Sequence, residues 1–196
     1  HNGRRRQRQM CIRDSDYFEK LIDGVDHSNL QIYLYHIPQV SGVGLSIELV
    51  TRLRAAYPDV IVGIKDSSGD WDNTRRLLAI DGLIVYPGAE LPVIDAIRLG
   101  GPGCISATAN LNGSGIANVI DLCHAGKWDA AEAAHKPVKD VRLLFQDYAP
   151  IPAQKALLAR RTGDARWKNL RPPFCGISDE KRDLLAASLA PYGMTF

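Results

Sequence analysis

The chain has 196 residues, enough for one sizeable domain with its own core. Its composition, 45% hydrophobic and 23% charged, is that of an ordinary globular protein and excludes a disordered or low-complexity chain; no apolar run approaches the roughly 18 residues that a membrane span needs. The formal net charge of +2 is misleading, because residues 1–14 hold five arginines against Asp14 and the rest of the chain is slightly acidic.

That arginine arm has no basic helix or aromatic platform behind it, so nucleic-acid binding is not expected. The run from Arg8 to Ser15 resembles a translated sequencing adapter, and residues 1–14 are expected to be a non-native or disordered leader. Cys11, Cys104, Cys123 and Cys175 are far apart and form no CxxC pair. This spacing predicts reduced thiols in a cytoplasmic protein, with neither a disulfide framework nor a metal site.

From Tyr17 the pattern is regular. Tyr17, Phe18, Leu21, Ile22 and Val25 predict an amphipathic helix over 15–27. Gln31 to His36 is rich in β-formers and is stopped by Pro38. Ser46 is placed to cap a helix ending at Tyr57, before Pro58. Val60 to Lys65 is a short apolar run that reads as a buried strand ending in a lysine. Asp70 starts the next helix, Leu83 to Tyr86 form a third strand, and Leu91 to Leu99 a helix. Cys104 to Thr108 are expected to form a fourth strand, before a helix near 114–125. Beyond Gly126 the pattern is helical, over 127–148, 151–162 and 178–190.

Strands alternating with helices predict βαβ units and a parallel sheet. The fold class is therefore α/β: a partial barrel of four βα units over 15–126, followed by a helical domain over 127–196. No Gly-rich phosphate loop follows any strand, which weighs against a nucleotide-binding sheet. Barrels do their chemistry at the strand ends. Those ends carry Tyr35-His36, Lys65-Asp66, Gly88-Ala89-Glu90 and Ser106-Ala107-Thr108. Period two puts Tyr33 and Tyr35 on one face, and likewise Ile61, Gly63 and Lys65, with Gly63 leaving room beside the lysine. An amine in an apolar setting is a nucleophile towards carbonyl carbon.

The segments Tyr35 to Gly42, Gly63 to Asp70, Gly88-Ala89-Glu90, Gly103 to Asn110 and Pro152-Ala153-Gln154-Lys155 together resemble the dihydrodipicolinate synthase / N-acetylneuraminate lyase family. The resemblance covers about 15–196 and implies a (β/α)8 barrel with a C-terminal helical domain. It also implies class I chemistry on pyruvate or another 2-keto acid, no cofactor, and a homotetramer. By motif, Lys65 is similar to the Schiff-base lysine and Tyr35 to the proton-carrying tyrosine. Ile105 resembles the residue whose carbonyl faces the ligand, and Gly88 and Glu90 lie in a loop that contacts the second substrate.

Residues outside this set are read as structural: His36 and Asp66 towards the helix layer, Cys104 as a small buried hydrophobe, His124 and His135 on helix surfaces. Two features depart from the family. The carboxylate-binding Thr-Thr loop and second tyrosine of the barrel's first half do not appear, so the chain reads as a C-terminal fragment that lacks half of the pocket. Val40 stands where the synthases carry an arginine, which favours a lyase or aldolase over 4-hydroxy-tetrahydrodipicolinate synthase.

Overall fold

A computed structural model describes residues 15–25 and 29–196. The arginine arm and its expected leader role lie outside the described residues, as do 26 and 27 at the end of the first expected helix. The chain divides into two compact units. One runs to Gly88 and includes Arg98–Gly103; the other comprises Ala89–Ile97 and Cys104–Phe196.

The first unit holds helix α1 (15–24), β1 (Ile32–His36), a single turn α2 (Pro38–Ser41), α3 (Ile47–Ala56), β2 (Ile61–Asp66), α4 (Trp71–Leu78) and β3 (Ile84–Pro87). The strands form a parallel sheet in the order β1-β2-β3, with a bulge between Ile32 and Tyr33. The lysine strand β2 is central and is hydrogen-bonded on both sides.

One face of the sheet carries the core. Leu34, Ile64 and Val85 pack with Leu49, Val50 and Leu53 of α3, Leu77 of α4 and Ile22 of α1. Both crossover helices start on capping side chains. Ser46 Oγ accepts from Leu49 N, and Asp70 Oδ1 accepts from Asp72 N and Asn73 N. Asp70→Ala removes the α4 cap while touching no core contact. It should cost about 1 kcal/mol in urea denaturation, and a cost near zero would show that the cap is dispensable.

The opposite face carries Tyr33, Tyr35, Gly63, Lys65, Ile84 and Tyr86, as the period of two predicts. Tyr33, Tyr35 and Ile84 are exposed. The space beside Gly63 is taken by a neighbour on β1: a Cβ at 63 would run into the Tyr33 ring and come within 2.6 Å of the Ile84 carbonyl oxygen.

The second unit is helical: α5 (Val93–Arg98), whose last residue falls to the first unit, α6 (Ala109–His124), α7 (Trp128–Leu144), α8 (Pro150–Thr162) and α9 (Asp179–Leu189). Its cores are Val93, Ile94, Ile116, Val119, Ala131 and Val138 on one side, and Val141, Phe145, Leu157, Leu185 and Leu189 on the other. Helix α8 is buried from Pro152 to Ala159 apart from Lys155, and ends at Gly163, whose φ of 70° suits a left-handed cap.

The fourth strand expected at Cys104–Thr108 does not form; the sheet has three strands. Residues 101–106 have no regular structure and 107–108 turn into α6. The cause is local. Ser106 Oγ accepts from Thr108 N, and the Ala109 amide bonds back to the Ser106 carbonyl, so the backbone curls instead of joining a ladder. α6 accordingly begins earlier than expected, with non-helical torsions at Asn112 before its regular stretch.

Candidate active site

Parallel register sets Tyr35 opposite Lys65, and Lys65 opposite Tyr86, across the three strand ends. The lysine therefore stands between two tyrosines on the open face. Lys65 Nζ donates to Tyr35 Oη at 3.1 Å and lies 4.3 Å from the centre of its ring. A phenol and an amine in direct contact can pass a proton between them and towards any carbonyl compound bound beside them. The Tyr35 phenol is held below the ordinary tyrosine range, first by the Ser67 side chain, against the opposing effect of burial, with the hydrogen bond and charge of Lys65 each lowering it by less.

The loop after β2 is tightly fixed. Ser67 N donates to the His36 carbonyl at 2.8 Å, and Gln39 Nε2 donates to the Ser67 carbonyl at 2.6 Å. Gly88 N donates to the Asp66 carbonyl at 2.6 Å. A Cβ at Gly88 would fall on Ser67 Oγ and within 2.8 Å of Ser67 Cα and Cβ, so this close approach admits only glycine.

Behind the loop, Asp66 is 3% exposed and accepts from Ser68 N, Asn73 Nδ2 and Thr74 Oγ1. His36 is buried and its Nδ1 accepts from Leu45 N. Both residues face the helix layer, as their alternation with Tyr35 and Lys65 predicts. Val40 is not buried: it is 76% exposed on the turn α2.

Glu90 and Ile105 belong to the second unit. Glu90 is fully buried. Its Oε2 accepts from Ser106 Oγ, and its Oε1 has no hydrogen-bond partner among the described residues. Ile105 is 42% exposed. His135, expected on a helix surface, is buried. It shares the inner stripe of α7 with Ala131 and Val138, and its Nε2 bonds to the Glu90 carbonyl at 2.9 Å. Burial pushes its imidazole below the ordinary histidine range. Cys104 is pushed up to about 12 by burial, with Glu90 adding to the effect, and a thiol held so fully protonated is no nucleophile. Among the described residues no three His, Cys, Asp or Glu side chains gather as a metal site, and no helix is long and apolar enough to cross a membrane.

The sequence points to Lys65 and Tyr35 but gives no role to Ser67 or Gln39. The only sequence trace of Ser67 is a hydroxyl two residues past the lysine.

Comparison with known proteins matches the chain to one family. The model of the dihydrodipicolinate synthetase family matches residues 7–191. The chain belongs to that family, whose members are lyases. It is 32% identical over 173 residues to an uncharacterized DapA-like lyase of Chloroflexus aurantiacus, covering 88% of this chain and 56% of that protein. It is 28% identical over 184 residues to the 4-hydroxy-tetrahydrodipicolinate synthase of Methanosarcina acetivorans, covering 91% and 60%. The crystal structure of dihydrodipicolinate synthase from Agrobacterium tumefaciens superposes with a TM-score of 0.77 at 32% identity, over 90% of this chain and 59% of that one. The chain thus spans less than two thirds of the length of these relatives.

Proposed function

We propose that the chain carries the Schiff-base centre of a lyase or aldolase acting on pyruvate or another 2-keto acid. The observation that supports this reading most directly is the 3.1 Å contact between Lys65 Nζ and Tyr35 Oη at adjacent strand ends. The neutral Lys65 amine attacks the C2 carbonyl and gives a carbinolamine. Tyr35 passes its phenolic proton to the carbinolamine hydroxyl, water leaves, and an iminium cation faces a phenolate. The cation draws electrons from the neighbouring carbon, so a C–H or C–C bond there can break. The phenolate is placed to take up the proton released.

Val40 points to a lyase or aldolase within the family, because an exposed valine offers no cation to a substrate carboxylate. The names of several relatives favour 4-hydroxy-tetrahydrodipicolinate synthase instead. The roles of Gly88, Glu90 and Ile105 towards a second reactant rest on the motif alone, as do the homotetramer, the partial barrel over 15–126 and the helical domain over 127–196.

Borohydride reduction in the presence of pyruvate tests the proposal. It should fix the imine as an N-carboxyethyl-lysine at Lys65, seen by peptide mass mapping and absent from Lys65→Ala. A wild-type chain that gains no adduct with any of several 2-keto acids would instead be a non-catalytic unit. An adduct that persists in Lys65→Ala would place the chemistry on another amine.

A further inference from the structure

We propose that Tyr33 and Tyr86 form an aromatic shelf that selects the tail of the 2-keto acid, so that the Lys65 centre favours keto acids ending in an uncharged ring over those ending in a carboxylate. Tyr33 is its specificity-determining residue. This inference rests on the reading of Lys65 as the imine-forming amine.

Three observations carry it. The first is the course of the Tyr33 ring. Tyr33 on β1 is paired with Gly63 on β2, and Gly63 with Ile84 on β3. The ring occupies the space that a side chain at 63 would need: a Cβ there would run into Tyr33 Cε1 and lie 2.6 Å from Cδ1. Beyond the glycine the ring meets that of Tyr86, with centroids 6.1 Å apart and planes inclined by 51°. This is a normal geometry for an aromatic pair. The two rings therefore bridge the central strand and join β1 to β3. Gly63 precedes Lys65 by one same-face step, about 7 Å along the strand, and Tyr86 is directly opposite Lys65.

The second observation is that the shelf is open. Tyr33 is 46% exposed and Ile84, paired with Gly63, is 39% exposed. Neither they nor Tyr86 join the core on the other face of the sheet. At the β3 end a cavity of about 580 Å³ has Ile84, Tyr86, Leu99 and Pro102 in its wall. The third is charge. Of the strand residues on this face only Lys65 is a cation. Once its nitrogen is bonded to substrate carbon, the iminium charge lies beside the keto acid's own carboxylate, and these strands offer no cation to a second one. A carboxylate laid on the rings would lose water without gaining a partner. Asp81, also in the cavity wall, would repel it. A ring on the tail instead gains apolar contact and the edge-to-face attraction of the tyrosines.

The test is a matched series of 2-oxobutanoate, 2-oxo-4-phenylbutanoate and 2-oxoglutarate, which share one carbon chain and end in hydrogen, phenyl and carboxylate. Half-saturation of borohydride trapping should be lowest for the phenyl acid, roughly three- to tenfold below 2-oxobutanoate, the range of one aromatic contact. It should be highest for 2-oxoglutarate. Tyr33→Leu keeps apolar bulk without the ring, and should bring the phenyl acid to the level of 2-oxobutanoate while leaving 2-oxobutanoate itself unchanged. Tyr33→Phe keeps the ring and should keep the preference. A wild-type chain that does not prefer the phenyl acid overturns the proposal, as it would if a second copy covered this face in solution. So does a Tyr33→Leu chain that retains the preference, or a Tyr33→Phe chain that loses it. An equal loss for all three acids in Tyr33→Leu makes Tyr33 structural and overturns it too. 4-Phenylbutanoate, which has no ketone, separates this inference from the imine reading. In a chain labelled with 13C at tyrosine Cζ it should shift the Tyr33 and Tyr86 resonances, assigned by their loss in the Tyr33→Phe and Tyr86→Phe chains. If no keto acid is trapped, the imine reading fails, while these shifts still decide the shelf: their absence overturns it.

Discussion

Gly88→Ala should lower stability by about 1–3 kcal/mol and move the Tyr35 titration up towards the ordinary tyrosine range. The added methyl has no space to occupy. It would lie 2.8 Å from both Cα and Cβ of Ser67 and overlap the hydroxyl oxygen. A flexible side chain could swing away, but here two of the three contacts are with Cα and Cβ, and Ser67 is tied to His36 and Gln39 through its own amide and carbonyl. Something must give: either the Gly88–Asp66 hydrogen bond lengthens, or the serine hydroxyl leaves the tyrosine. One effect opposes the loss. Alanine restricts the unfolded chain more than glycine does, which favours folding by about 0.4–1 kcal/mol. The clash is the larger effect, so the urea midpoint should fall with little change in slope. Wild-type stability together with a wild-type Tyr35 titration would show that the loop yields freely and that the close approach is incidental.

The contrast between Gly88 and Lys65 shows what the sequence alone makes legible. β1, β2 and β3 stand out because short β-branched and aromatic runs end at proline, glycine or small polar residues. Their parity alone places Tyr35 and Lys65 on the face opposite Leu34 and Ile64. The helices of the second unit are also legible, since beyond Gly126 the pattern is helical and Ala131, Val138 and Val141 repeat at helical spacing along α7. The family resemblance, confirmed over residues 7–191, adds the expected roles.

What failed to show is what depends on contacts between segments. Cys104 to Thr108 has the composition of a strand, yet strand formation needs a partner ladder, and Ser106 offers the backbone a turn instead. His135 looks like a surface residue by type alone; its spacing from Ala131 and Val138 puts it inside, where the Glu90 carbonyl satisfies its ring. Val40 is apolar but exposed, because α2 is a single turn with no buried residue. Ser67 carries no pattern at all: its place against Tyr35 and Gly88 comes from three strand ends meeting.

Asp66→Ala should be the most damaging single change near the lysine, with a loss of about 3 kcal/mol and weakened Lys65–Tyr35 contact. Asp66 ends β2 one residue beyond Lys65 and is 3% exposed. Its carboxylate ties the strand end to the next helix: Oδ1 accepts from Ser68 N at 3.0 Å, and Oδ2 accepts from Asn73 Nδ2 at 3.1 Å and Thr74 Oγ1 at 2.7 Å. Hydrogen bonds to a charged acceptor contribute about 1.5–3 kcal/mol each, but the three do not simply add. Ser68 and Asn73 are only partly buried and can turn to water, and Thr74 Oγ1 already shares the Asp70 carbonyl at 3.2 Å. The buried Thr74 bond and the vacated carboxylate volume therefore dominate the loss. Asp66→Asn separates shape from charge. It fills the same space and still accepts from Ser68 N, while its amide opposes the donor on Asn73, so it should fall between alanine and wild type. The alanine variant should also let Ser67 drift, and a Tyr35 titration shifted upward beside the lost stability would link the buried network to the phenol. A stability change within about 0.5 kcal/mol, the range of an ordinary surface substitution, would detach Asp66 from the centre altogether.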